Sequence, residues 1–334
     1  MEENIGMYLT KFYTIVGRNL NGGGIMQIID LHCDVLEKLT RFEDTNFRND
    51  SRLHACLNNL IAGKVKIQVF AIFIHPSIPQ ERKFLEVARQ IEAFHRKVLS
   101  EPEMVHITDW NQVNELEDGQ IGAVLSLEGC DCIGDDLEKL RVILDAGVKL
   151  VGLTWNYENS VAYGALEDSS LGLKPFAKEV IDLLNKRDII IDVAHLNEKG
   201  FYELLPLAKN IIASHCNARA LCDHPRNLTD DQVKELVAHG GRIHVVFYPP
   251  FIEKGKEKTT INELIKHIDY LSTIVGFENI GFGSDFDGID PLFVDGLSDA
   301  SEYPNLIQNL LEKYKEDQIK LINYSGFAKF VSNL

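Results

Sequence analysis

The segment Ile28-Ile-Asp-Leu-His32-Cys-Asp34 decides how the rest of the chain is interpreted. Its apolar residues predict a β-strand, which ends in a histidine and an aspartate two positions apart. Because side chains at positions i and i+2 of a strand leave the same face, His32 and Asp34 are expected to point together from the end of that strand. A neutral imidazole beside a carboxylate suits zinc. Taken alone, such a pair is more often a histidine hydrogen-bonded to a nearby acid.

The composition is that of a globular protein with no affinity for nucleic acid. The 334 residues are 45% hydrophobic and 25% charged, and the formal net charge is -16. An acidic surface repels phosphate backbones, and no run rich in lysine and arginine offsets it here. No apolar stretch has the length needed to cross a bilayer. We therefore expect neither nucleic acid nor a membrane among the partners.

The N-terminus lacks the basic and apolar regions of a signal peptide. Residues 21–24 are Asn-Gly-Gly-Gly. We therefore predict an N-terminal extension or linker over residues 1–25 and a single domain over residues 26–334. The six cysteines contain no Cys-x-x-Cys pair and are predicted to be free thiols. Together these features favour a cytoplasmic location.

Short runs rich in β-branched residues alternate with longer amphipathic segments along the whole domain. A capping box at Thr229-Asp-Asp-Gln232 predicts a helix that runs to about His239. Eight strands separated by helices predict an α/β fold, a (β/α)8 TIM barrel, with a doubly wound open sheet as the alternative. The other predicted helices cover residues 80–99, 136–146, 177–186 and 262–275. The predicted strands cover residues 27–33, 66–74, 121–127, 148–153, 188–194, 210–214, 241–247 and 279–283.

Side chains that bind metals follow five of the eight predicted strands. In a barrel the carboxyl ends of the strands converge on one mouth, where active sites are built. Three histidines and three carboxylates exceed the three protein ligands that one catalytic zinc requires. Two metals that share a bridging carboxylate, with one acid left as a base, would use all six. The six residues are His32 and Asp34 after the first strand, Glu128 after the third, His195 after the fifth, His215 after the sixth and Asp285 after the eighth.

The motifs around these residues resemble those of the membrane (renal) dipeptidase family, zinc metallopeptidases of the amidohydrolase superfamily. The resemblance extends from residue 26 to the C-terminus, and its motifs follow the order found in that family. They are Asp30-Leu-His-Cys-Asp34, Ser126-Leu-Glu-Gly129, Asp192-Val-Ala-His195, Ser214-His215 followed by Arg226-Asn227, and Gly283-Ser-Asp-Phe-Asp-Gly288.

This resemblance implies a dizinc dipeptidase, which hydrolyses the peptide bond of free dipeptides through a metal-bridging hydroxide. It implies that Asp285 is the catalytic acid/base and that Arg226 binds the terminal carboxylate of the substrate. It also implies a homodimer. The metal ligands that the resemblance implies are His32 and Asp34 for one Zn²⁺, His195 and His215 for the other, and Glu128 as the bridge between them.

One position departs from the animal enzymes of this family. These enzymes carry a histidine after Leu-Thr at the end of the fourth strand, and that histidine is thought to polarise the scissile carbonyl. Here Leu153-Thr154 is followed by Trp155. Asn156 and Tyr157 are the candidate donors in its place, and we assign both to substrate binding.

Two alternatives to a dipeptidase stay open at the level of the sequence. The same metal site suits another amidohydrolase reaction, the hydrolysis of a lactam, lactone or phosphoester. Arg226 favours a dipeptide over these, because its guanidinium needs a free carboxylate to bind. The second alternative is a catalytically silent metal-binding barrel, which the missing histidine favours and the retained Asp285 opposes.

Overall fold

Eight parallel strands form a barrel in the computed structural model, which describes residues 27–334. A parallel bridge between Ala213 and Ile243 joins the two strands at the ends of the sheet and nearly closes the circle. The predicted (β/α)8 barrel is therefore confirmed, and the predicted extension over residues 1–25 lies outside the described residues. The barrel strands are β1 (Ile28–Cys33), β2 (Val65–Phe73), β4 (Ile121–Glu128), β5 (Val148–Gly152), β6 (Ile190–Asp192), β7 (Ile211–Ile212), β8 (Ile243–Val245) and β10 (Ile280–Phe282). Their order in the sheet is β7-β6-β5-β4-β2-β1-β10-β8.

Each of these strands lies within, or within one residue of, a predicted run, because a parallel strand covered on both sides is apolar throughout. All six residues of β1 are buried, as are eight of the nine residues of β2. Three further strands were not predicted. The short β3 (Met104–His106) pairs with β4 outside the circle, and β9 (Lys258–Thr260) pairs with β11 (Phe293–Asp295) in a separate two-stranded sheet.

Helices surround the barrel, and three of the five predicted ones begin at a side-chain cap, provided by Asp136, Thr229 and Thr260. The capping box predicted at Thr229 is present: Thr229 Oγ1 accepts from the Gln232 backbone N–H at 3.2 Å, and Gln232 Oε1 accepts from the Thr229 N–H at 3.0 Å. The predicted helix over residues 80–99 is α3 followed by a π-helical turn, Phe94–Val98. The described helices are α1 (Val35–Arg41), α2 (Leu57–Ala62), α3 (Gln80–Ala93), α4 (Leu137–Asp145), α5 (Ala177–Lys186), α6 (Glu198–Leu204), α7 (Asp230–Ala238), α8 (Pro249–Ile252), α9 (Ile261–Val275), α10 (Tyr303–Leu311), α11 (Glu316–Lys320) and α12 (Gly326–Val331).

The amino-terminal end of the barrel, which we call the base, is closed by the last helix. Phe327 of α12 packs edge-on against Trp110 with ring centroids 5.8 Å apart, and its ring lies 6.0 Å from that of His244 in β8. The opposite, carboxyl-terminal end is the mouth, where the longer segments after the strands gather. None of the helices within residues 27–334 combines the length and the apolar character that crossing a membrane requires. All six cysteines are buried and unpaired, as predicted.

Candidate active site

The six metal-type side chains predicted from the sequence meet at the mouth, although five different strands carry them. Each lies at the end of its strand or within three residues of it. Five of the six side chains are at most 8% exposed, and the Asp285 side chain is 17% exposed. We call this group the mouth cluster; its members are His32, Asp34, Glu128, His195, His215 and Asp285.

Glu128 lies between two parts of the mouth cluster. Its Oε1 is 2.7 Å from Nε2 of His195 and 3.7 Å from Nε2 of His215. Its Oε2 is 3.6 Å from Nε2 of His32. The Nε2 atoms of His195 and His215 are 2.8 Å apart. One carboxylate therefore faces the histidine pair with one oxygen and the β1 side of the cluster with the other.

His32 is the centre of the other part. Its Nε2 lies 3.6 Å from Oδ2 of Asp34 and 3.8 Å from Oδ1 of Asp285. The Asp285 backbone N–H donates to the His32 carbonyl at 3.1 Å, which ties the segment after β10 to β1. A Cβ on Gly288 would fall 2.2 Å from Asp34 Oδ2, so this close approach requires a glycine.

Two members of the cluster adopt a backbone conformation that L-residues rarely take. The φ angles are +68° at His195 and +67° at Asp285, in the left-handed region. Such a conformation costs on the order of 1–3 kcal/mol, and it persists only where the surrounding structure imposes it. At both residues the chain has just left a strand, and the sharp turn directs the side chain back into the mouth.

Two buried aspartates support the cluster from below. Asp30 accepts from the backbone N–H and the hydroxyl of Ser284, at 2.8 and 2.7 Å. Asp192 accepts from the backbone N–H of Ser214 at 2.9 Å and also from its hydroxyl. Each serine immediately precedes a member of the cluster, so each aspartate fixes the position of a residue that points into the mouth.

The hydrogen bonds of the histidine pair leave the Nε2 lone pairs free for a metal. Ser214 Oγ donates to Asp192 and can accept from His215 Nδ1, which is 2.7 Å away. His195 Nδ1 is 2.8 Å from Asn156 Oδ1, an acceptor, so that this nitrogen carries the proton. Both histidines are therefore oriented as metal ligands usually are, with the outer nitrogen held by a protein acceptor.

The two parts of the mouth cluster differ in their titration. Burial, reinforced by the charge of Arg226, lowers the pKa of His195 to about 3, and burial lowers the pKa of His215 well below its ordinary value. On the other side, burial together with neighbouring carboxylates raises the pKa of Asp34 to about 6 and that of Asp285 well above its usual range. The histidine pair is neutral, whereas the carboxylates repel one another, a state that a cation relieves.

The residues present fit a bound metal. His32 Nε2 and Asp34 Oδ1 are buried, and neither has a hydrogen-bond partner within the described part of the chain. Two triads, His32 with Glu128 and His215 and His32 with Asp34 and Asp285, bring their ligand atoms within 4.8 Å of one another. Nitrogen and carboxylate oxygen donors of this kind suit zinc. Leaving buried polar atoms unpaired is costly, so the arrangement indicates a missing partner of positive charge.

A cavity of about 590 Å³ opens above the mouth cluster. Its walls differ in character around the circle: aromatic after β2 and β5, basic and aromatic after β7 and β8, and charged after β1 and β10. The lining residues used below are Phe73, Trp155, Asn156, Arg226, Tyr248 and Phe251, together with the charged group Glu37, Lys38, Arg41, Asp285 and Asp290.

Arg226 presents a positive charge to this cavity and is only 2% exposed. Its Nη2 is 3.5 Å from the His215 carbonyl, its Nη1 is 3.8 Å from Cys216 Sγ, and its guanidinium carbon lies 5.5 Å from the centre of the Phe251 ring. Within residues 27–334 no carboxylate forms an ion pair with it, and its Nε has no hydrogen-bond partner. A buried guanidinium without a counter-ion at the edge of a cavity is suited to an anionic ligand.

Comparison with known proteins identifies the family. The sequence model of the membrane dipeptidase family, peptidase family M19, matches residues 25–331. The chain belongs to this family. It is 30% identical over 314 residues to an uncharacterized dipeptidase of Schizosaccharomyces pombe, an alignment that covers 86% of this chain and 75% of the relative. It is 25% identical over 315 residues to a dipeptidase of Claviceps purpurea, covering 87% and 72% of the two chains.

Solved structures agree with the barrel fold. A metallopeptidase of Rhodobacter sphaeroides, crystallised with a phosphinate mimic of the dipeptide L-Ala-D-Ala, superposes with a TM-score of 0.86 at 22% identity and covers 92% of this chain and 99% of its own. A second M19 metallopeptidase, a dipeptidase, superposes with a TM-score of 0.85 at 23% identity, covering 92% and 98%. Membership of the dipeptidase family makes the chain a hydrolase of a metallopeptidase family.

The three residues at the departure from the family motif lie in different places. Trp155 and Asn156 line the cavity, and the Trp155 ring lies 5.9 Å from that of His195. Asn156 holds His195 through its Oδ1, which leaves its Nδ2 as a donor toward the cavity. Tyr157 packs against Trp155 with ring centroids 5.5 Å apart, but it is 49% exposed and is not part of the cavity wall.

Sequence reasoning did not assign a role to the supporting aspartates or serines, although they lie within the motifs of the dipeptidase family. A signal was present in the sequence. Asp30 and Asp192 are acids inside otherwise apolar strands, each two or three residues before a histidine of the cluster. A buried acid needs partners, and here a serine beside another cluster member supplies them.

Proposed function

We propose that the protein is a zinc-dependent dipeptidase that holds two Zn²⁺ ions in the mouth cluster and hydrolyses the peptide bond of free dipeptides. The observation that carries this proposal is that two triads of possible ligand atoms share His32, whose Nε2 has no hydrogen-bond partner in the described residues, and that His195 joins them through Glu128. The proposed ligands are His32 and Asp34 for one ion, His195 and His215 for the other, and Glu128 for both.

Bound zinc would act as a Lewis acid toward the scissile carbonyl and would lower the pKa of a water from about 15.7 to about 7. The chain itself moves the proton. Asp285 lies at the edge of the cluster, and burial and Asp34 raise its pKa above the usual range, so its carboxyl group holds a proton more readily than an ordinary carboxyl group and is suited to acid/base work. It accepts the proton of the attacking water and delivers it to the nitrogen of the leaving amine.

Arg226 determines which molecules fit. In a dipeptide the free carboxylate lies one residue beyond the scissile bond, and a guanidinium near the cluster binds that carboxylate through two parallel hydrogen bonds. Asn156 Nδ2 is the better placed of the two candidate donors to the carbonyl oxygen, because Tyr157 lies outside the cavity wall. One structural neighbour was crystallised with a mimic of L-Ala-D-Ala. The first substrates to test are therefore L-Ala-D-Ala and L-Ala-L-Ala.

The test measures metal content and turnover on the same sample. Purified protein supplied with zinc at neutral pH should contain close to two ions per chain and should hydrolyse L,L- or L,D-dipeptides, and a chelator should abolish the activity. Glu128→Gln should disturb both ions, whereas His32→Ala should remove mainly one. His239→Ala, on the exposed end of α7, is the matched control and should retain both.

Two results would contradict the proposal. A content of one ion at most, even with zinc in excess, would exclude the dinuclear site. A metal-loaded protein that hydrolyses lactams, lactones or phosphoesters but no dipeptide would place it among the other amidohydrolase reactions. No turnover of any of these compounds would leave the catalytically silent barrel.

A further inference from the structure

One wall of the cavity is built from two aromatic side chains. Phe73 is the last residue of β2 and Trp155 follows β5, and their ring centroids are 5.4 Å apart with the planes tilted by 54°. Both rings are half-buried and line the cavity. We call this pair the aromatic wall. Because the Trp155 ring also lies against His195, the wall begins at the mouth cluster itself.

The order of the strands places Phe73 across the mouth from Arg226 and places Trp155, which follows β5, midway between them. β2 and β7 are four steps apart in the order β7-β6-β5-β4-β2, and the barrel has eight strands, so the two lie on opposite sides of the circle. Arg226 lies in the segment after β7, and Phe251, beneath its guanidinium, lies in α8 after β8. A ligand that reaches from Arg226 across the cluster therefore passes Trp155, beside His195, and ends near Phe73.

On the other side of the mouth, the segments after β1 and β10 offer no comparable apolar surface. The segments after β1 and β10 carry charged side chains into the cavity. Lys38 donates to Asp287 at 2.9 Å and also pairs with Asp290, while His54 Nε2 is 2.8 Å from Asp290. Covering these charges with an apolar group would remove water from them without replacing it.

The orientation of a dipeptide follows, and this step rests on the proposed function. With its carboxylate at Arg226 and its scissile carbonyl at the mouth cluster, the N-terminal residue of the dipeptide lies beyond the cluster. The carboxylates of Asp285 and Asp290, which line the cavity after β10, attract its ammonium group to that side. The side chain on the same carbon then faces the aromatic wall. We propose that the aromatic wall of Phe73 and Trp155 binds the side chain of the substrate's N-terminal residue and selects large apolar side chains there.

Trp155 is the specificity-determining residue in this arrangement. Aromatic rings bury large areas, and a substrate side chain that packs on them leaves water without leaving any polar atom unpaired. A single methylene group in an apolar pocket is worth about 10- to 200-fold in kcat/KM. The wall is open on one side, so we expect the lower part of that range for leucine or phenylalanine over glycine.

The experiment compares two series of dipeptides on the zinc-loaded enzyme. In the first series the N-terminal residue varies (Gly-Ala, Ser-Ala, Leu-Ala, Phe-Ala), and in the second the C-terminal residue varies (Ala-Gly, Ala-Ser, Ala-Leu, Ala-Phe). The wild type should prefer Leu-Ala and Phe-Ala over Gly-Ala by about tenfold or more in kcat/KM. Trp155→Ala and Phe73→Ala should reduce that ratio to near one and leave the ratios of the second series unchanged.

Two further variants control this comparison. Trp155→Phe keeps an aromatic face and should keep most of the preference, while Tyr202→Ala removes a partly exposed aromatic ring outside the cavity and should behave as wild type. Binding is measured separately by fluorescence. The chain has two tryptophans, and Trp110 is buried near the base, so Trp110→Phe leaves Trp155 as the one indole that reports on the cavity. Combined with Asp285→Asn to slow hydrolysis, it should bind Phe-Ala about tenfold more tightly than Gly-Ala.

The outcomes separate this inference from the proposed function. Equal kcat/KM across the first series, or a preference that persists in both alanine variants, would overturn the role of the aromatic wall while the dipeptidase stands. Equal binding of Phe-Ala and Gly-Ala would overturn it as well. Hydrolysis of no dipeptide by the zinc-loaded wild type would reject the proposed function, and the wall's role in substrate selection with it.

Discussion

The two ends of the barrel both bury ionisable side chains, and they use them differently. At the base, Arg242 donates to the carbonyls of Glu278 and Ile280, the latter at 2.7 Å, and His244 Nδ1 is 2.9 Å from the Ala213 carbonyl. The partners of these groups are backbone carbonyls, not other ionisable side chains. At the mouth, the side chains face one another, and Glu128 by itself lies within 4 Å of His32, His195 and His215. The convergence of side chains on one another, more than their burial or residue type, distinguishes the mouth cluster from structural polar groups.

The difference predicts that substitutions at the mouth change turnover and substitutions at the base change stability. In a (β/α)8 barrel this division is general, because the loops at the carboxyl ends carry the chemistry and those at the amino ends carry the fold. Here it can be tested with matched residue types, since each end has a buried arginine and a buried histidine. The following experiments are arranged from the largest expected effect to the smallest.

Asp285→Asn should have the largest effect. The substitution keeps the shape of the side chain and removes proton transfer, a contribution of about 10²- to 10⁴-fold to kcat. Both metal ions should remain, because the other five members of the cluster are intact, and the midpoint of urea unfolding should change little. Steady-state kinetics and metal analysis on one preparation measure this. Loss of an ion together with activity would show that Asp285 is a metal ligand instead.

The two buried arginines, Arg226 at the mouth and Arg242 at the base, give the most direct comparison of the two ends. Arg226→Met should raise KM for dipeptides and lower kcat/KM about ten- to a hundredfold, the scale of a charge-assisted hydrogen bond. It should also narrow the difference between a dipeptide and its C-terminal amide. Arg242→Met, by contrast, leaves two carbonyls at the base without donors and should lower the free energy of unfolding by about 2–3 kcal/mol.

The controls for this pair are reciprocal. Arg242→Met should leave KM unchanged at temperatures where the protein is folded, and Arg226→Met should not lower stability, because it removes a buried charge that has no ion-pair partner within residues 27–334. Wild-type enzyme that hydrolyses the amide as well as the free acid would exclude Arg226 as the carboxylate site. It would also reopen the other amidohydrolase reactions.

Much of this site could be predicted from the sequence because its signal is local. Each member of the cluster directly follows an apolar run, and the end of a strand is a position that a single pass along the chain can find. His244 shows the limit of this signal: like His32 it is the penultimate residue of an apolar strand, but its partner is a backbone carbonyl. The two histidines differ in the side chains that other strands bring to them, which the local sequence does not show.

The parts that escaped prediction depend on contacts between distant segments. Asp30 and Ser284 are 254 positions apart, and nothing in either local sequence connects them. The π-helical turn after α3 is also a tertiary effect. Lys97 within it donates to the carbonyls of Leu39 and Glu43, at 3.0 and 2.9 Å, and Phe94 packs against Phe70 with ring centroids 5.8 Å apart. Periodicity alone predicts an uninterrupted helix there.

The two supporting aspartates should each affect a different one of the two proposed zinc sites. Asp192→Asn should weaken zinc binding at the His195 and His215 side, and Asp30→Asn should weaken it at the His32 side, each about 10- to 100-fold. Competition with a chromophoric chelator measures the two affinities. If either variant weakens both ions equally, the aspartates act on the cluster as a whole and the two sites are not independently supported.

The smallest effect concerns the base and its dependence on pH. Burial, with the charge of Arg242 adding to it, lowers the pKa of His244 to about 3. In the unfolded chain the same histidine titrates near pH 6.5, so between pH 7.5 and 5.5 the unfolded state takes up a proton that the folded state refuses. The free energy of unfolding therefore falls by about 1.4 kcal/mol across this range from His244 alone.

His244→Gln should remove that part of the decrease when urea unfolding is measured at both pH values with the same zinc concentration. The histidines of the mouth cluster titrate alike in the wild type and in the His244→Gln variant. The difference between the two proteins in the decrease of the free energy of unfolding is therefore the contribution of His244. Equal decreases would mean that His244 gains its proton without unfolding and that the base is open to water.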